Sequence, residues 1–121
     1  MTVLADSSVW IGHWRRVIPA FAALRAEGAV VTHPFVIGEL AVGDIEHRDE
    51  ALRNFQRLPS ATIATHHEVL GLVERHRLWG SGIGWIDAHL IASALVDHVA
   101  LWTLDRPLAR AAAAAGVPVI T

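Results

Sequence analysis

Four acidic residues, Asp6, Glu39, Asp87 and Asp105, stand against apolar sequence where a folded domain ordinarily places apolar or small side chains. Asp6 ends the run Val3-Leu4-Ala5, and Asp105 ends Ala100-Leu101-Trp102-Thr103-Leu104. If both runs are strands of one parallel sheet, both carboxylates emerge at its carboxyl edge, where open α/β sheets hold their ligands. Glu39 is the one charge in Phe35–Val42, and Asp87 precedes Leu90, Ile91 and Ala94 at the i+3, i+4 and i+7 positions of an apolar helical stripe. Both are therefore expected on buried helix faces turned toward that edge. Carboxylates gathered there repel one another, and a hard divalent cation, Mg²⁺ or Mn²⁺, is the simplest means of holding them together. The chemistry such a cation serves is hydrolysis at a phosphoryl centre.

Each acid also has an ordinary alternative role. Asp6 and Asp105 can cap the helices that follow them, the latter ahead of Arg106-Pro107. Asp87 can interact with a helix N-terminal dipole for about 0.3–1 kcal/mol, and Glu39 can lie on a solvated face. Ser7 and Ser8 can take over the capping after the first strand, which would free Asp6. An unpaired carboxylate buried on an otherwise apolar face costs several kcal/mol, so Glu39 in particular calls for a cation or an arginine partner. Two strand-end acids together with two acids on apolar helices favour the metal reading.

The elements that must position these residues alternate in the manner of an α/β domain with a parallel sheet. Strands are expected at Thr2–Ala5, Ala29–Thr32, Thr62–Ala64, Ala100–Thr103 and Val117–Ile120. Helices are expected near Val9–Arg15, Pro19–Glu27, Pro34–Val42, Glu46–Leu58, His66–Leu78, Trp85–Asp97 and Arg106–Ala115. Gly80–Gly84 is a flexible loop ahead of the helix that carries Asp87. The 121 residues are expected to form a single domain, 1–121. With no cysteine the chain has no disulfide, thiolate nucleophile or iron–sulfur cluster. A net charge of -2 argues against a non-specific polyanion binder. The N-terminus lacks a basic leader, and no apolar run approaches the ~20 residues of a membrane span, so a cytoplasmic protein is expected.

Four segments resemble the PIN-domain family, and within it the VapC-type ribonuclease toxins of toxin–antitoxin pairs. They are Asp6-Ser7-Ser8-Val9-Trp10-Ile11, Glu39-Leu40 with Gly43, Gly84-Trp85-Ile86-Asp87-Ala88-His89-Leu90, and Trp102-Thr103-Leu104-Asp105. Their order and separation match over essentially the whole chain. The resemblance implies a PIN-like three-layer α/β/α fold with a five-stranded parallel sheet, order 3-2-1-4-5. It implies a Mg²⁺- or Mn²⁺-dependent endoribonuclease whose catalytic and metal-binding quartet is Asp6, Glu39, Asp87 and Asp105, supported by the hydroxyls of Ser7 and Thr103. It also implies a homodimer, an RNA substrate and a cognate VapB-like antitoxin whose C-terminal segment crosses the site. Around Arg48–His76 the family diverges, and there the resemblance is silent on substrate.

On chemical grounds Asp6 or Asp87 would orient the attacking water, giving 5′-phosphate and 3′-hydroxyl products. Other phosphate chemistries fit poorly. A haloacid-dehalogenase-type phosphatase needs a second Asp where Ser8 stands, and a receiver domain or a P-loop needs a lysine, of which the chain has none. The eight histidines form no His-Glu-x-x-His motif, and His89 is read as structural. Tryptophans 10, 14, 85 and 102 are read as core, with base stacking as the lesser alternative, while Arg15, Arg16 and Arg106 are either solvated helix charges or candidates for phosphate contact. The competing class is a PIN-like RNA- or protein-binding module whose carboxylates hold a structural ion.

Overall fold

The computed structural model describes residues 1–121. Strand β1 (Val3–Ala5) pairs in parallel with β2 (Val30–Val31) on one side and with β3 (Ala100–Trp102) on the other. Strand β4 (Val119–Ile120) completes the sheet beside β3, giving the order β2-β1-β3-β4. Every residue of β1 and β3 is buried, so helices cover both faces of the sheet in a three-layer α/β/α arrangement.

The order is that of the expected 3-2-1-4-5 sheet with its outermost strand reduced. In place of a strand over Thr62–Ala64, a single parallel bridge joins Ser60 to Thr32 beside β2. Thr32 donates to the carbonyl of Pro59 at 2.8 Å and accepts from the N–H of Ala61 at 2.7 Å. The ladder ends there because the next donor on this side would be residue 34, and Pro34 has no N–H and opens a helix. On the outer side of this segment the N–H and hydroxyl of Thr62 both donate to the Asp97 carboxylate, at 2.7 and 2.6 Å.

The helices lie where the apolar spacing puts them. They are α1 (Ser7–Arg15), α2 (Pro19–Ala26), α3 (Pro34–Val42), α4 (Arg48–Phe55), α5 (His66–His76), α6 (Trp85–Asp97) and α7 (Arg106–Ala114). Proline fits the first helical position of α2 and α3, where its missing N–H has no helical partner. Helix α5 starts with a reciprocal pair: Thr65 caps the N–H of Glu68, and the Glu68 side chain accepts from the N–H of Thr65.

The aromatic core centres on Trp10, which meets Phe21 and Phe55 edge-on at 4.9 and 4.8 Å, with Phe21 in turn against Trp102 at 5.5 Å. Trp10 and Trp102 are thus core residues, whereas Trp14 and Trp85 are each 40% exposed. No helix is long and apolar enough to cross a membrane.

Candidate acidic active site

The carboxyl ends of β1 and β3 lie side by side, because Leu4 pairs with Leu101 and Ala5 with Trp102. Asp6 follows β1 directly and is 5% exposed. Its carboxylate is held on both oxygens. Oδ1 accepts from the Ser8 hydroxyl at 2.5 Å and from the N–H of Val9 at 3.2 Å, while Oδ2 accepts from the Thr103 hydroxyl at 2.5 Å. Asp6 is therefore itself the cap of α1, and the expectation that the serines would relieve it of that role is corrected. Ser8 is too far into the turn to cap and instead spans it.

The same hydroxyls stitch the two strand ends together. Ser8 Oγ accepts from the N–H of Leu104 at 2.9 Å, and Thr103 Oγ1 accepts from the N–H of Asp105 at 3.0 Å. Asp105, an exposed residue, caps α7 by accepting from the N–H of Leu108 at 3.2 Å. The support around Asp6 thus comes from Ser8 and Thr103. Ser7 lies beside Glu39 instead, its hydroxyl favouring the ionised form of that carboxyl. Of the two serines whose hydroxyls could hold a carboxylate, Ser8 takes the place beside Asp6 that was expected of Ser7, and the Asp-x-Ser turn is the local signal for it.

Glu39 and Asp87 approach from the two helices. Asp87, half-buried in the first turn of α6, accepts from the N–H of Gly84 at 3.2 Å, and Leu90, Ile91 and Ala94 behind it are buried as the stripe requires. The loop that delivers it needs Gly82, whose φ of +88° is left-handed and whose α-carbon lies close to Pro107 in the first turn of α7. Glu39 corrects the expectation of a buried helix face, because it is exposed along with Gly38 and Val42. The apolar residues of α3 run all the way round the helix, so tertiary packing alone decides which side faces outward.

The charges nevertheless feel one another. Although Glu39 is exposed as a residue, partial desolvation of its carboxyl pushes it above its ordinary range, and the charges of Asp87 and Asp6 push the same way. Burial likewise raises Asp87; the Gly84 N–H opposes this, and Asp105 and Asp6 add to it. All four acids therefore belong to one electrostatic cluster at the sheet edge. No three His, Asp or Glu side chains form a ready-made metal cage. The donors are nevertheless all hard oxygens, and Mg²⁺ commonly keeps several waters while binding only one or two carboxylates directly, so the residues present suit such an ion.

Two clefts adjoin the cluster. One, of about 700 Å³, runs between α1 and α3 and is lined by Ser7, Ile11, Trp14, Arg15, Glu39 and Ile45 among others. The other, of about 400 Å³, is an apolar shelf formed by Pro34, Phe35, Val42, Trp85 and Ile86 beside Glu39. His89 packs between Phe35 at 4.6 Å and Trp85 at 5.0 Å behind that shelf. Of the three candidate arginines, Arg15 lines the cleft between α1 and α3 together with Glu39.

A family model for the PIN domain matches residues 3–114. Over 116 residues the chain is 45% identical to Ribonuclease VapC32 of Mycobacterium tuberculosis, strains CDC 1551 / Oshkosh and H37Rv, covering 95% of this chain and 94% of the mycobacterial one. Among solved structures it resembles PAE2754 from Pyrobaculum aerophilum, with a TM-score of 0.63 at 16% identity, over 98% of this chain and 83% of that one. It resembles FitAcB from Neisseria gonorrhoeae with the same TM-score at 18% identity, over 99% and 97% of the two chains. These two likenesses concern the fold.

Proposed function

The chain belongs to the PIN-domain family, and from that membership we propose that it is an endoribonuclease, the toxin of a VapBC-type pair, acting through Asp6, Glu39, Asp87 and Asp105. The observation that carries the reading is the cluster itself: Asp6 and Asp105 follow adjacent strand ends, and Glu39 and Asp87, raised first by desolvation, also feel the charge of other members of the quartet. A divalent cation, Mg²⁺ or Mn²⁺, held by these carboxylates would supply the positive charge that lowers the pKa of a water and neutralises the phosphoryl oxygens.

The chain's own residues divide the remaining work. Asp6 has both lone pairs of Oδ1 committed to Ser8 and Val9 and one of Oδ2 committed to Thr103, so it keeps a single free position and serves as the fixed ligand. Asp87 keeps three free positions beyond its bond from Gly84, which suits it to orient the attacking water and take its proton. Attack by water leaves a 5′-phosphate and a 3′-hydroxyl. Arg15, at the rim of the cleft that holds Glu39, is placed to meet the phosphate backbone. The apolar shelf with Trp85 would receive a base next to the scissile phosphate, so single-stranded RNA is the substrate class.

A VapB-type antitoxin, a homodimeric toxin and a cytoplasmic setting belong to the same proposal. The cleft between α1 and α3 has apolar walls at Ile11 and Ile45 and an acidic end at Glu39. It therefore suits an antitoxin segment that ends in an arginine reaching the carboxylates. The test is cleavage of single-stranded RNA by the purified protein with and without added Mg²⁺ or Mn²⁺. A binding module would retain RNA or partner affinity with no ion-dependent cleavage.

A further inference from the structure

Between the two helices that bring Glu39 and Asp87 to the site lies a buried polar link. His33 immediately precedes α3 and is fully buried. Its Nδ1 accepts from the N–H of Phe35 at 2.9 Å and so caps α3. Its Nε2 lies 3.1 Å from the hydroxyl of Ser93, which is also fully buried, in the middle of α6. An atom that accepts from a backbone N–H carries no proton, so the neutral ring bears its hydrogen on Nε2 and donates to Ser93. One tautomer therefore satisfies both bonds.

The placement is symmetrical about the acids. Glu39 stands six residues after His33 on α3, and Asp87 six residues before Ser93 on α6. The backbones of α3 and α6 are not closely packed along their length, unlike those of α5 and α6, and across them run the His33–Ser93 bond and the packing of Phe35 on His89 at 4.6 Å. The aromatic contact allows sliding; the hydrogen bond is directional. We propose that His33 is a positioning residue, whose doubly bonded imidazole ties the start of α3 to the middle of α6 and thereby sets where Glu39 stands relative to Asp87. This rests on the metal-dependent nuclease reading of the site. Burial, reinforced by the charge of His89 and opposed by Asp97, holds the His33 pKa down to about 4, so the ring stays neutral across the working range.

The test compares wild type with Ser93→Ala and His33→Asn. The first removes only the bridge. The second keeps a capping oxygen close to where Nδ1 lay but falls short of Ser93. Mn²⁺ affinity by calorimetry, steady-state cleavage of single-stranded RNA and thermal unfolding are measured on each. The expected result is Mn²⁺ binding weakened roughly tenfold in both variants, as for other groups that orient metal ligands, with kcat reduced and KM for RNA unchanged at temperatures where both remain folded. If His33→Asn does not fold, Ser93→Ala decides alone. A lower melting temperature with wild-type Mn²⁺ affinity and kcat would overturn the positioning role and leave only a structural one. A wild-type chain that neither binds Mn²⁺ nor cleaves RNA would bring down the nuclease reading and this role with it.

Discussion

At the scale of single residues, the site is built from groups that satisfy one another. Asp6 is buried and carries a charge, yet three donors surround it, so the cost of its burial is met by hydrogen bonds rather than by an ion pair. Removing one of them, in Thr103→Val, is expected to cost roughly 1.5–3 kcal/mol in a denaturant titration, the value of a bond to a charged group. A loss below about 0.5 kcal/mol would mean that water replaces the hydroxyl. Acid sensitivity follows from His33. Its folded pKa of about 4 lies below the ordinary 6.5, so the unfolded state binds more protons between those values. Its contribution is full above pH 6.5 and is lost as pH falls toward 4, amounting to roughly 3 kcal/mol. His13 and His89 are lowered in the same direction by burial, whereas Glu39 and Asp87, being raised, contribute stability at low pH that is lost as pH rises. Unfolding free energy measured from pH 7 to 4 should therefore fall less steeply in His33→Asn than in wild type. Parallel curves would mean that His33 titrates normally.

The helices and loops show where sequence periodicity suffices and where it stops. Helices α3 and α6 have the bounds expected from Pro34 and from the glycine loop, because those signals are local. The third strand was not legible. Whether the strand continues past its one bridge depends on the neighbouring segment, which runs into Pro34 and leaves the ladder without its next donor. The exposure of Glu39 was hidden for a related reason, since an all-round apolar helix does not declare its inner face. The role of His33 is not legible because histidine is not among the usual capping residues, and its bridge depends on a serine of another helix. Gly82 tests how far the loop controls the site. Gly82→Ala places a side chain at a φ of +88° and against Pro107, and is expected to cost about 1 kcal/mol or more while shifting the first turn of α6. A chemical-shift map unchanged around Asp87 would show that the loop follows the helix and does not place it.

For the whole molecule, a net charge of -2 and an acidic site mean that RNA must be admitted by cations, from the ion or from Arg15, and not by a general basic surface. The same potential should attract an inhibitor's guanidinium, so Mg²⁺ or Mn²⁺ and an antitoxin arginine are expected to compete. Titrating the complex with Mn²⁺ should restore activity at lower concentrations once that arginine is replaced. Inhibition indifferent to both would place the partner elsewhere on the surface. The most direct measurement of the account is cleavage of an end-labelled single-stranded RNA by metal-stripped protein, followed by return of Mg²⁺ or Mn²⁺, for wild type and Asp87→Asn. Wild type should be silent when stripped and recover with the ion, releasing 5′-phosphate ends. Asp87→Asn should stay folded, gain stability without metal by relief of repulsion, and lose roughly a hundredfold or more in rate. Cleavage that survives chelation, or that Asp87→Asn leaves intact, would contradict a carboxylate-held cation as the source of the activity.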